Sequence, residues 1–142
     1  MNSPQIPMHS TSHTFLPAPS TANFRQQFQN TGVAVLLEPV FPLQLWRALC
    51  TEAAVQRSTY AWHLYSDTAP GEIRQDNMRG RLGPLARAVL SSEDTFRLLR
   101  EVTGRHLEPA WSASCYTYYD VPGTYMGEHC DKFTECRIAF LF

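Results

Sequence analysis

The sequence predicts an α+β fold, with helices packed on one face of an antiparallel sheet. Up to residue 104, short runs carry apolar side chains at helical spacing, closed by Gly32 and Gly104. After Pro109 the pattern changes to the two-residue alternation of strands. Helices followed by strands in this order fit helices gathered on one side of a sheet.

Taken in order, residues 1–22 are rich in Ser, Thr, Pro and His, with no period among the few apolar residues, and read as a flexible tail. Prolines 4, 7 and 17 argue against a helix that would let His9 and His13 share a metal. Asn23 suits the N-cap of a helix over residues 24–31, ended by Gly32. Residues 33–37, Val-Ala-Val-Leu-Leu, are a buried strand by composition. Pro39 and Pro42 lead into a helix striped by Leu45, Leu49, Ala53 and Gln56, with Trp46 beside the stripe. Residues 59–65 read as extended, with Tyr60, Trp62 and Leu64 on one face and His63, a half-buried strand histidine, on the other. Residues 67–83 carry Pro70-Gly71 and two more glycines and read as a long loop of the kind that lines a site. Within and just beyond it, Arg74, Arg79, Arg81 and Arg87 form a basic stretch, partly offset by Asp67, Glu72 and Asp76, that reads as solvated.

A short helix follows over residues 85–90. Ser92 caps another over 93–103, with Phe96, Leu99 and Val102 inward. Residues 112–120 alternate as a strand, Val121-Pro122-Gly123 turns the chain, 124–131 run back, and 135–142 form a third strand.

The composition narrows the function. A chain of 142 residues with 44% hydrophobic and 12% aromatic residues can build one modest core. A net charge of −1 gives no electrostatic reason to bind nucleic acid or an anionic membrane surface. The start lacks a basic leader and an apolar run, and no stretch is long enough to span a bilayer. Cys50, Cys115, Cys130 and Cys136 form no CxxC, so the expectation is a cytoplasmic protein with reduced, buried thiols.

The chemistry concentrates in His129-Cys130-Asp131. On an extended strand, His129 and Asp131 project to the same side, where an imidazole and a carboxylate supply two corners of a two-His-one-carboxylate Fe(II) site. Residues 132–142 contain no histidine for the third corner. An HxD alone is weak, since a chain of this composition meets one by chance in about one case in five. Its context is more specific: an aromatic strand, a Pro-Gly turn, and then an apolar strand headed by Arg137.

Tyr119, Pro122-Gly123, Tyr125, His129-Cys130-Asp131 and residues 137–141 together resemble the core of the Fe(II)/2-oxoglutarate dioxygenases, closest in style to the prolyl-hydroxylase-like branch. The resemblance implies a double-stranded β-helix (jelly-roll) core over residues 23–142, with His129 and Asp131 as iron ligands. It also implies 2-oxoglutarate as co-substrate, ascorbate as an accessory reductant, and hydroxylation of a peptidyl or small-molecule substrate. Tyr119 matches the position of a family tyrosine that donates its hydroxyl to the co-substrate; a core aromatic is the alternative for Tyr119 and the reading for Tyr116 and Tyr118. The family's distal histidine and its 2-oxoglutarate-pairing Arg or Lys fall several strands further on. The chain therefore reads as the front part of an oxygenase, cut within the apolar strand at 138–142 and inactive alone.

Three alternatives compete with this reading. His129 and Asp131 can form a hydrogen-bonded pair near a turn with no metal. A zinc site would use Cys115, His129, Cys130 and Cys136, but adjacent strand residues project to opposite faces. A non-catalytic module would pair through an open strand edge with a partner, including a chain that completes the site.

Overall fold

The computed structural model describes residues 21–35, 39–66 and 75–126. Its elements are α1 (Ala22–Thr31), α2 (Leu43–Tyr60), β1 (Trp62–Ser66), β2 (Gln75–Arg81), α3 (Pro84–Leu90), α4 (Glu93–Thr103), β3 (Cys115–Tyr118) and β4 (Tyr125–Met126). The α+β class is as expected, although β1 and β2 are placed between α2 and α3. The described residues contain an antiparallel sheet, not a closed jelly-roll.

The helices follow their end signals. Gly32 and Gly104 adopt the left-handed conformation (φ 75° and 72°) that closes α1 and α4 with backbone bonds to Phe28 and Arg100. The Ser92 hydroxyl accepts the Thr95 N–H and starts α4. The α1 helix begins two residues earlier than expected, after Thr21, and Asn23 lies inside it. On α4 the inward stripe is Thr95, Leu98 and Val102, while Phe96 and Leu99 are only half-buried. The core joins Phe41, Leu49, Leu82, Ala86, Val89, Leu98 and Val102, each worth about 1–3 kcal/mol when buried. Phe24 and Phe28 of α1 close over it.

Four expectations are corrected. Residues 33–35 form no strand, and Val33 and Val35 are more than half exposed. Their N–H groups are taken by α1 side chains, Val33 donating to Thr31 Oγ1 and Val35 to Gln27 Oε1, both at 3.2 Å. Residues 59 and 60 complete α2 rather than start a strand. The supposed loop contains β2, the central strand, so Arg79 and Arg81 belong to the sheet; residues 67–74 lie outside the described residues. Cys50 is exposed and Cys115 half-buried, so neither thiol is fully buried.

A fifth correction concerns direction. β2 pairs with β1 on one edge, Trp62 opposite Arg79 and Ser66 opposite Gln75. On its other edge it pairs first with β3, Cys115 opposite Arg81 and Tyr118 opposite Met78. It then pairs with β4, Tyr125 opposite Asp76 and Met126 opposite Gln75. Both pairings are antiparallel, so β4 continues along β2 in the direction of β3. The Val121-Pro122-Gly123 turn does not reverse the chain. It forms part of a six-residue excursion, 119–124, between two stretches of one interrupted strand.

Candidate functional site

The excursion lies on the strand that leads towards His129, and α2 fixes it. Tyr116 and Tyr118, two apart on β3, project to the same face of the sheet and both reach α2. The Tyr118 hydroxyl donates to the Ala53 carbonyl at 2.8 Å, and the Tyr116 hydroxyl donates to Glu52 Oε1 at 2.8 Å. Gly80 opposes Tyr116 in register and makes room for the neighbouring Tyr118 ring. A β-carbon on Gly80 would approach the Tyr118 hydroxyl oxygen to 2.8 Å.

Beyond Tyr118, the Asp120 carboxylate receives two bonds from Arg57, Nε at 2.8 Å and Nη2 at 3.3 Å, in the forked geometry that suits a guanidinium. The same guanidinium lies 5.6 Å from the centre of the Tyr118 ring. The Arg57 hydrogen bond holds the Asp120 carboxyl below the usual carboxylate range. Thr124 closes the loop, its N–H donating to the Val121 carbonyl at 3.1 Å and its hydroxyl to the same oxygen at 2.7 Å. Gly123 supplies the left-handed residue (φ 88°) of this turn.

Glu52, next to Ala53 on the same helix, anchors α3 as well. Its carboxylate accepts the N–H groups of Leu85 at 2.7 Å and Ala86 at 2.9 Å, at the first turn of α3. Gly83, at the N-cap of α3, has no side chain with which to cap it. A carboxylate from 33 residues earlier takes that role and meets the positive end of the helix. Burial, and then the bond to Glu52, push the Tyr116 phenol above its ordinary pKa. Burial also raises Tyr118, and Arg57 opposes that shift.

Of the residues singled out by sequence, Tyr119 lies in the excursion between Tyr118 and Asp120, and half of it is exposed. It is not a core aromatic. Tyr116 and Tyr118, expected as core aromatics, are half-buried, with polar tips that hold α2. His63 is exposed rather than half-buried, and its Nε2 lies 2.6 Å from Asp76 Oδ1 across β1 and β2. Asp76 in turn opposes Tyr125 of β4. His129 and Asp131, the expected iron ligands, lie outside the described residues, as do His9, His13, Cys130 and Cys136. Cys115 Sγ accepts from Arg79 Nη1 at 3.1 Å. Among the described residues, no group of three or more His, Cys, Asp or Glu side chains is placed to hold a metal. No helix among them is long and apolar enough to cross a membrane.

Sequence reasoning missed Glu52, Arg57 and Asp120. Arg57 and Asp120 are 63 residues apart, and no local pattern connects them. The available signal was the polar residue Glu52 adjoining Ala53 of the α2 stripe. Compared with family models, curated proteins and solved structures, the chain gives no match.

Proposed function

We propose that residues 23–142 form part of an Fe(II)- and 2-oxoglutarate-dependent dioxygenase acting on a peptidyl or small-molecule substrate. The observation that supports this most directly is the pairing of Tyr125 and Met126 with Asp76 and Gln75. It brings the segment preceding His129 into the sheet as a strand, and a strand is the setting in which an HxD directs both donors to one side. The preceding excursion leaves the Tyr119 side chain half exposed, as a co-substrate contact requires.

The donor set suits the metal: a neutral imidazole and a carboxylate are two of the three ligands of a facial Fe(II) site. His129 and Asp131 would hold the iron, and the Tyr119 hydroxyl would donate to 2-oxoglutarate. Iron with its co-substrate supplies the oxygen activation, while the chain orients the groups and limits water. Residues 132–142 contain no histidine to match the family's distal ligand.

The test is anaerobic titration of the chain with Fe(II), and with Co(II) as a spectroscopic stand-in, followed by calorimetry and ligand-field absorption. One stoichiometric site is expected, lost in both His129→Ala and Asp131→Ala. Equal metal uptake by the unaltered chain and the double variant would refute the assignment.

A further inference from the structure

We infer that Arg57 is a positioning residue for Tyr119, holding residues 119–124 through Asp120 so that the tyrosine hydroxyl is presented to 2-oxoglutarate; this rests on the function proposed above. Tyr119 is bracketed by two attachments to a single helix. Immediately before it, the Tyr118 hydroxyl is bonded to the Ala53 carbonyl at 2.8 Å. Immediately after it, Asp120 receives both hydrogen bonds of the Arg57 fork. Arg57 also lies over the Tyr118 ring, so one guanidinium touches both neighbours of Tyr119. The backbone of Tyr119 is thereby fixed at both ends, while its side chain stays half exposed.

A chain departing from the ladder for six residues has many conformations open to it. Within it, the Thr124 bonds to Val121 lie at the far side of the turn from Tyr119. At the near side, the attachment comes from α2. Asp120 serves as the handle because a carboxylate takes both N–H groups of the fork, whereas a point-charge lysine would leave the loop free to swivel. The acidic residue next to Tyr119 is therefore read as structural support for a neighbouring contact, and not as a third metal ligand.

Two measurements test this. In the fluorotyrosine-labelled chain, with the Tyr119 resonance assigned by its loss in Tyr119→Phe, fluorine NMR is expected to show a dispersed Tyr119 signal. In Arg57→Gln and in Asp120→Asn that signal is expected to collapse towards the position of free fluorotyrosine, while the signal of Tyr116, whose hydroxyl is held by Glu52, holds. Asp120→Asn keeps the side chain's size and guards against a general folding failure in the Arg57 variant. An unmoved Tyr119 signal in both variants overturns the inference, whether or not iron binds.

The second measurement is anaerobic binding of 2-oxoglutarate to the Fe(II)-loaded chain. Arg57→Gln is expected to weaken it about tenfold, the effect of one misplaced hydrogen-bond donor, with Fe(II) affinity unchanged. Tyr119→Phe is expected to do the same, and the double variant to be no worse than Tyr119→Phe alone. Undiminished binding in Arg57→Gln, or additive losses, overturn the positioning role and leave the proposed function standing. Absence of Fe(II)-dependent 2-oxoglutarate binding in the unaltered chain overturns the presentation of Tyr119 to the co-substrate, whereas the Fe(II) titration above decides the proposed function.

Discussion

Replacing Glu52 by Ala removes the acceptor of three donors at once: the Leu85 and Ala86 N–H groups and the Tyr116 hydroxyl. The loss of a cap at the start of α3 costs about 1 kcal/mol. Each donor left without its charged acceptor adds about 1–3 kcal/mol when water cannot replace it. Glu52 and Tyr116 are only half-buried, so water compensates in part and the lower end applies. The expected destabilisation is about 3 kcal/mol, or roughly 10 °C in Tm for a domain of this size. Glu52→Gln keeps the shape and one carbonyl oxygen but turns an amide NH2 towards a donor, so roughly half that loss is expected.

Urea and thermal unfolding measure both variants, and Glu101→Ala, on the exposed side of α4, serves as a reference expected within about 0.5 kcal/mol of the unaltered chain. Amide exchange at Leu85 and Ala86 supplies a local readout and is expected to quicken before the rest of α3. If Glu52→Ala falls within the scatter of Glu101→Ala, the capping role of Glu52 is refuted. The attachment of β3 to α2 through Tyr116 would then have to be reconsidered as well.

Two further outcomes follow from the same face of the sheet. Gly80→Ala places a β-carbon 2.8 Å from the Tyr118 hydroxyl oxygen and 2.9 Å from Cε2, forcing the ring off Ala53; about 1–3 kcal/mol is expected by urea unfolding, and a neutral result would show that the ring has room to move. In a spectrophotometric alkaline titration, Tyr116 and Tyr118 are expected to ionise above the ordinary phenol value of about 10. Their folded-state pKa values are raised, so their contribution to stability is complete below that pH and is lost as pH rises through the folded-state values. Glu52→Ala is expected to bring Tyr116 partway back.

Local chemistry made part of the fold legible. Ser92 and Gly104 bound α4 because an N-cap hydroxyl and a left-handed C-terminal residue are satisfied within a few residues of chain. Gly32 does the same for α1. The strand β2 was hidden for the opposite reason. Its sequence, Gln-Asp-Asn-Met-Arg-Gly-Arg, contains no β-branched or aromatic residue, and it becomes the central strand because β1, β3 and β4 supply its ladders. Asn77, fully buried within it, accepts a bond at 2.9 Å from Arg79, two residues along the same strand. Conversely, residues 33–35 have the composition of a strand and form none, because α1 side chains have already satisfied two of their amides. The turn at Val121-Pro122-Gly123 was legible as a turn. Whether it reversed the chain depended on which edge of β2 received the next residues, and only the register decides that.

The polar side of α2 explains why the excursion can be held without a core beneath it. Glu52, Ala53 and Arg57 lie within about one and a half turns, so one short length of helix presents a carboxylate, a carbonyl and a guanidinium to the sheet. The carboxylate holds α3 and Tyr116, the carbonyl holds Tyr118, and the guanidinium holds Asp120. An exposed ion pair alone is worth at most about 1 kcal/mol, too little to order six residues. In this arrangement the pair does not act alone: Tyr118 is already bonded to α2, and the backbone reaches Asp120 only two residues later. The entropy left for Arg57 to remove is that of a short, tethered segment. That is why a half-exposed ion pair suffices to set the direction of Tyr119.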